Sequence, residues 1–329
     1  MQKKIKTTNF VGGNEKKFST FSRIRGFVEL MRPLEWGKTL FCMALAVLMA
    51  HYVFGVSVGL PLFAAGFGAL VLLWSGLYAL NDWTDWKSDL LHKSKHIRSI
   101  PSGRIKPRAA FVFSIILIAF SFLAGLILNN TLFLLCMAVM LVNQFAYTLK
   151  PFRLKERKYF DIISGAFINP IFRYLSGLFL FVSLGQIFIV GFPVLPLFFI
   201  IGIQAGTYLA YRFSSKGHDA KLKLNSSISN LTDRWVKVAS RVLLCIALYA
   251  LIGMLGNDLL LKNLWLGFVP LKYVLALIPG VIITPMLMQI IKAPKKATDP
   301  KTYKKFYVSF HIASDIVILF VLIILFFFP

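Results

Sequence analysis

Apolar residues in this chain fall in long unbroken runs, not in the alternating or three-to-four spacing of half-buried strands and helices. Runs long enough to cross a bilayer, about 20 residues each, lie near 39–56, 61–80, 109–128, 131–149, 160–181, 187–211, 241–256, 271–291 and 307–328. The pattern predicts an all-α polytopic membrane protein with about nine spanning helices, since only helices satisfy their own backbone polar groups segment by segment in lipid. Pro170, Pro193, Pro196, Pro279 and Pro285 should kink or delimit their helices. Ahead of the first run, Phe18, Phe21, Ile24, Phe27, Val28 and Met31 recur at near-helical spacing. That stretch reads as an amphipathic helix lying in the membrane interface. The expected organisation is an arm over 1–38 and a single transmembrane domain over 39–329.

Composition agrees with the pattern. Hydrophobic residues make up 57% of the chain and charged residues 15%, with a mean hydropathy of +0.72. A soluble domain carries roughly a quarter charged residues, so lipid must cover much of this surface. The net charge of +24 would suit a nucleic-acid binder if it lined one face of a domain. Instead Lys and Arg cluster in short connections between apolar runs, the distribution of the positive-inside rule, and no nucleic-acid partner is expected. The arm and the even-numbered connections at 81–108, 150–158, 212–237 and 292–305 are basic; the odd-numbered ones hold little beyond Lys262 and Lys272. This places the N-terminus and the basic loops in the cytoplasm. Residues 1–17 are polar and basic and lack the apolar core of a cleavable signal. Cys42, Cys136 and Cys245 stand alone in apolar stretches, without metal-ligand spacing.

Chemistry concentrates at one place. Only 13 acidic residues exist, and three lie in Asn81-Asp82-Trp83-Thr84-Asp85-Trp86-Lys87-Ser88-Asp89. The spacing i, i+3, i+7 puts Asp82, Asp85 and Asp89 within roughly 60° of arc on a helix, so all three should point into one site. Crowded carboxylates repel unless a cation joins them. Hard oxygen ligands without His or Cys favour Mg²⁺, which keeps few protein carboxylates and completes its shell with water and phosphate oxygens. A solvated acidic helix end would look similar. However, His92, Lys95, His96 and Arg98 follow directly, and Pro101-Ser102-Gly103 then turns the chain back. Carboxylates for metal beside Lys and Arg for phosphate are what a diphosphate leaving group requires.

The segment NDWTDWKSD, followed by IRSIPSG, resembles the first aspartate-rich motif, NDxxDxxxD, of the UbiA superfamily of intramembrane prenyltransferases. The resemblance extends over most of the chain through the order of spans and basic loops. It implies helices around a central cavity with a cytoplasmic cap, where aspartate-bound Mg²⁺ holds a diphosphate donor while its carbon passes to a lipid acceptor. Arg32-Pro33-Leu34-Glu35-Trp36-Gly37-Lys38 is similar to the RPxxWxK segment of members that transfer phosphoribose to polyprenyl phosphate. His92, Lys95 and Arg98 resemble their HPxKxxRP run, with Lys93 and Ser99 in place of both prolines. Tyr147 to Lys150, Asp161, and Arg173 to Gly177 resemble the region around the fourth and fifth spans. The second DxxxD motif of most prenyl-transferring members is missing: the loop after span six reads Arg212-Phe213-Ser214-Ser215-Lys216-Gly217-His218-Asp219, with no further acid before Asp233.

The resemblance implies Asp82, Asp85 and Asp89 as metal ligands, and Lys38, Asn81, His92, Lys95, Arg98, Tyr147, Lys150 and Arg212 as donor-binding groups. Lys38 could equally anchor the first span at the interface. Asp161 either binds a second metal or neutralises Lys150 or Arg153. Arg173 lies about 18 Å along a helix from Asp161, deep in the membrane, where a charge faces a polar cavity or pairs, here with Asp315. Asn169 shares its face. The expected reaction is Mg²⁺-dependent transfer of 5-phosphoribosyl from phosphoribosyl diphosphate to polyprenyl phosphate. The alternative is prenyl transfer from a polyprenyl diphosphate to an aromatic or other lipophilic acceptor. A transporter would show paired broken helices in two halves, and no such pairing is visible.

Overall fold

The computed structural model describes residues 18–90, 95–221, 226–260 and 300–327. Every regular element among them is helical. α1 (Thr20–Met31) starts at Ser19, whose hydroxyl accepts from the Ser22 amide, and stops where Arg32 turns left-handed at φ 51°. A 3₁₀ turn, Pro33–Glu35, leads into α2 (Trp36–Tyr52). α3 (Leu60–Asp89) is the long second span and carries the aspartates out on its last turns. α4 (Pro107–Ile127) and α5 (Thr131–Thr148) form a hairpin. α6 covers Phe160–Phe179, with a π-helical stretch at Ile163–Ile168 just before Pro170. α7 (Leu184–Val190) and α8 (Leu195–Lys221) follow, then a single turn at Ser227–Asn230, α9 (Asp233–Leu260) and α10 (Pro300–Phe327).

Six of these segments are long and apolar enough to cross a membrane, taking α1 and α2 together as Thr20–Tyr52, and the pair α7 and α8 passes the same test only when its two helices are taken as one broken segment. That pair is bent by 108°, and Pro193 and Pro196 stand at the bend, as the prolines predict. α9, which contains the expected run at 241–256, is not among them, and the run at 271–291 with Pro279 and Pro285 lies outside the described residues. The chain is an integral membrane protein: rings and branched side chains such as Phe120, Ile127, Phe188 and Ile189 point outward, where lipid covers them.

Polar residues and glycines decide how the helices meet. Gly202 and Gly206 form a GxxxG stripe on α8, and a Cβ at either would strike α9, at Leu243 O and Ala247 or at Leu244. The Ser240 hydroxyl of α9 donates to Gly206 O at 2.7 Å in the same interface. Gly177 of α6 packs on the Met43 backbone of α2, bringing those helices close enough to share the buried Cys42, Ala46 and Tyr174. α1 buries a face other than the one its apolar spacing marks. Phe21, Ile24 and Val28 are exposed, whereas Leu30 is buried with Ala79, Ile100 and Ile105.

Candidate active site

A cavity of about 370 Å³ opens among α2, α3, α5, α6, α8 and α10. Along α3 it is lined from Asp89 down to Trp74, about 22 Å of helix. Along α6 it is lined by Gly165, Asn169 and Arg173, one turn apart. Eight basic side chains line it against four acidic ones, an excess that suits a polyanion.

The mouth is built on the last turns of α3, where each carboxylate meets cations from elsewhere in the chain. Asp82 is buried and ion-paired with Arg32, the left-handed residue after α1. Arg98 Nη1 donates to both Asp82 (3.2 Å) and Asp89 (2.8 Å), and the Lys95 ammonium stands 3.9 Å from Asp89. The Lys155 ammonium lies 2.7 Å from each oxygen of Asp85 and 2.9 Å from Asn81 Oδ1, and Arg153 donates to Asp85 at 3.0 Å. Burial pulls the Lys155 ammonium below the ordinary lysine range, against the opposing field of Asp85. Thr148 also donates to Asn81 Oδ1, at 3.4 Å.

This corrects the expectation that all three aspartates point into one site. Among the described residues no three acidic, His or Cys side chains converge on one point, and Asp82 is not on the cavity wall, although Asp85 and Asp89 are. Repulsion along one face of α3 is relieved by cations set against it, Arg98 between Asp82 and Asp89, and Arg153 with Lys155 on Asp85. The oxygens still gather in twos around a positive nitrogen, Asp82 with Asp89 on Arg98 and Asn81 with Asp85 on Lys155. Both are oxygen-only positions that already hold a cation, so the donor set fits a hard divalent ion.

Deeper in, the lining turns aromatic and amide-rich. Arg173 is buried, with its guanidinium 3.7 Å from the centre of the Trp74 ring and Nη2 donating to Tyr78 Oη at 3.4 Å; its Nε has no hydrogen-bond partner among the described residues. The pairing with Asp315 does not form: Asp315 of α10 lies against Gly37 at the start of α2, and its Oδ1 also lacks a partner. Asn169 accepts from Asn143 at 2.7 Å and donates to Gln144 at 3.4 Å. Tyr147 and Tyr208 meet hydroxyl to hydroxyl at 3.3 Å, and Arg212 lines the wall near them.

Of the expected site residues, Lys38, Asn81, Asp85, Asp89, Lys95, Arg98, Tyr147, Asn169, Arg173 and Arg212 line this cavity. His92 lies outside the described residues. Lys150 is exposed and off the cavity wall, because the chain turns away after α5 and comes back with Arg153 and Lys155. Asp161 neutralises neither Lys150 nor Arg153. It is buried off the wall and accepts from the Ser227 hydroxyl at 2.5 Å and the Ser227 amide at 3.2 Å. Missed from sequence were Arg32, Arg153, Lys155, Tyr78, Gln144 and Tyr208. The basic run Arg153 to Lys158 was the available signal for two of them.

Comparison with known proteins bears on the same residues. Against solved structures, the fold matches a UbiA homologue from Archaeoglobus fulgidus bound to GPP and Mg²⁺, with TM-score 0.63, 18% identity and coverage of 91% of this chain and 99% of that one. It also matches the apo structure of a UbiA homologue from Aeropyrum pernix K1, with TM-score 0.66, 16% identity and coverage of 85% and 96%. In sequence, digeranylgeranylglyceryl phosphate synthase from Methanothrix thermoacetophila is 37% identical over 89 residues, 27% of this chain. The matched stretch is just under a third of that relative, at 31% of its length. The model of the UbiA prenyltransferase family matches residues 39–314, from the start of α2 through the aspartate-rich mouth into α10, and the chain therefore belongs to the UbiA prenyltransferase family.

Proposed function

We propose that this protein transfers a prenyl group from a prenyl diphosphate to a hydroxyl of a phosphate-bearing lipid, with Mg²⁺ at the mouth. The observation that carries the reading is the cavity itself, which is cationic and oxygen-rich at one end, aromatic along its length, and holds the buried Arg173 at depth. A diphosphate fits the first end and an allylic chain fits the aromatic wall. A second anion fits Arg173, whose Nε is unpartnered and aimed at no acid. Lys38 and Arg173 both line that cavity, so an acceptor phosphate inside it has two cations to meet.

The resemblance to phosphoribosyl-transferring members rested on the segments around Arg32 to Lys38 and His92 to Arg98, with Tyr147 to Lys150. Of the cations it implies, Lys150 is exposed and off the cavity wall. The relative named for a prenylated glyceryl phosphate and the neighbour bound to GPP and Mg²⁺ support the prenyl donor instead.

Asp85 and Asp89, with Asn81, would hold Mg²⁺ at the wall, which when bound neutralises charge building on the leaving diphosphate, and Asp82 behind them sets Arg32 and Arg98. Arg98, Lys95, Arg153 and Lys155 orient the donor and stabilise the same charge from preset positions. Trp74, Tyr78 and the tyrosines of α5 and α8 exclude water and face their π electrons toward a carbocation. The basic loops would set the mouth toward the cytoplasm.

The test is product formation in detergent with Mg²⁺. Labelled geranylgeranyl diphosphate with a prenylglyceryl phosphate acceptor should give a product heavier by one prenyl group. Labelling of lipid from phosphoribosyl diphosphate, with none from the prenyl donor, would reject the reading.

A further inference from the structure

The last helix presents Tyr307, His311 and Asp315 on one face, at i, i+4 and i+8, toward the start of α2. There the Tyr307 hydroxyl donates to Glu35 Oε1 at 2.8 Å. The other Glu35 oxygen pairs with the Lys38 ammonium at 2.5 Å. The His311 ring meets Tyr307 edge-on, centroids 4.3 Å apart, and the Lys38 ammonium lies 5.8 Å from the Tyr307 ring centre. A polar tie between first and last spans would explain these contacts if they were sealed off. They are not: Glu35, Lys38, Tyr307 and His311 all line the cavity. The other acids on that wall, Asp85, Asp89 and Glu156, are gripped by ammonium or guanidinium groups of the mouth. Glu35 differs in accepting from a phenol that itself faces the cavity.

Transfer of a prenyl group to a hydroxyl leaves a proton to be removed, and the mouth, crowded with cations, is the wrong place for it. We propose that Tyr307, backed by Glu35, accepts that proton. This rests on the prenyl-transfer reading above. The acceptor oxygen forms a bond to the first prenyl carbon as the bond from that carbon to diphosphate breaks, and the electron pair leaves with the diphosphate. The hydroxyl proton passes to Tyr307 Oη while the phenol proton moves to Glu35 Oε1. The phenol is regenerated and Glu35 ends as a carboxylic acid, which returns its proton to water through the open mouth. Lys38, beside Glu35 and on the same cavity wall as Tyr307, holds the acceptor phosphate close enough to bring its hydroxyl to the phenol.

Tyr307→Phe removes one oxygen and keeps the ring against His311; Glu35→Gln keeps shape and removes the charge. Each full-length variant is assayed with Mg²⁺ and geranylgeranyl diphosphate against two acceptors, a prenylglyceryl phosphate and its analogue with a thiol in place of the hydroxyl. Turnover on the hydroxyl should fall about 10²-fold or more in both variants, the range for a lost general base. Donor binding should stay within about twofold. The thiol ionises near pH 8.5 unaided, so its turnover should stay within about threefold of the unaltered protein. Equal loss on both acceptors marks a merely structural contact and overturns the proposal, as does unchanged turnover on the hydroxyl. If the unaltered protein transfers no prenyl group to either acceptor, the prenyl-transfer reading fails and this inference fails with it. Loss confined to the variants and the hydroxyl leaves both standing.

Discussion

The two ends of the cavity solve the problem of buried charge in opposite ways. At the mouth every carboxylate of α3 has a cation: Asp82 has Arg32 and Arg98, Asp85 has Arg153 and Lys155, Asp89 has Arg98. At depth Arg173 has, among the described residues, a ring and a phenol for company and an Nε without a partner. Charges already neutralised in place cost little to keep and can trade their partners for a metal and a diphosphate. A buried cation with no acid is expensive to keep, and it becomes favourable when an anion arrives. The mouth is therefore arranged for exchange and the deep end for capture.

Breaking the mouth should have the largest effect. Asp85→Asn removes a metal-holding charge and leaves Lys155 short of an acid, and Asp82→Asn frees Arg32 and Arg98 beside it. Turnover should drop by about 10²-fold or more, the usual cost of a lost electrostatic contact to a transition state. Steady-state assays against Mg²⁺ concentration check this, with a thermal melt to confirm folding; near-normal activity in both variants would remove the metal from these residues.

The deep end should respond differently. Arg173→Lys keeps a positive charge but loses the planar stack on Trp74 and the fork of donors. We expect the acceptor KM to rise about 10-fold while Mg²⁺-dependent donor binding is unchanged. Loss of donor binding instead would mean that the two ends hold the same ligand and that the contrast between them is false.

A sharper cut through the mouth separates two lysines five residues apart. Lys155→Met should lower turnover about 10-fold, because its ammonium bridges Asn81 and Asp85. Lys150→Met should leave turnover within about twofold, because that side chain is exposed and off the wall. Equal effects would return Lys150 to the site.

That pair of lysines also shows what the sequence can and cannot reveal. Period and spacing act locally, so the apolar runs that became α2 to α6 and α10 were legible, and so was the placing of the aspartates on the last turns of α3. So was the burial of Arg173, since one cation in an apolar run has few other fates. Partners chosen by the fold were not. Which lysine of a basic loop turns inward depends on how the chain leaves α5. Tyr307 reaches Glu35 from the far end of the chain, and neither residue carries a motif. Asp315 was the only acid in the last span and looked like a mate for Arg173, but packing set it against Gly37.

Asp161 offers the smallest effect on turnover and the finest test of the comparison, since it is an acid near the mouth that behaves like neither end. Its carboxylate takes both the hydroxyl and the amide of Ser227. It therefore tethers the base of α6 to the turn that precedes α9. A buried carboxylate that takes two donors from one turn contributes by holding structure, and losing one donor costs about 1–3 kcal/mol. Ser227→Ala deletes the hydroxyl and leaves the amide, so the melting temperature in detergent should fall. Turnover below that temperature, and the Mg²⁺ concentration for half-maximal rate, should stay within about twofold. Asp161→Asn should behave alike, because an amide oxygen still accepts from Ser227. A second-metal role predicts the reverse: Asp161→Asn would raise the Mg²⁺ requirement about 10-fold or more and Ser227→Ala would not. That outcome would return Asp161 to the metal ligands and would supply the acid that the missing second motif leaves wanting.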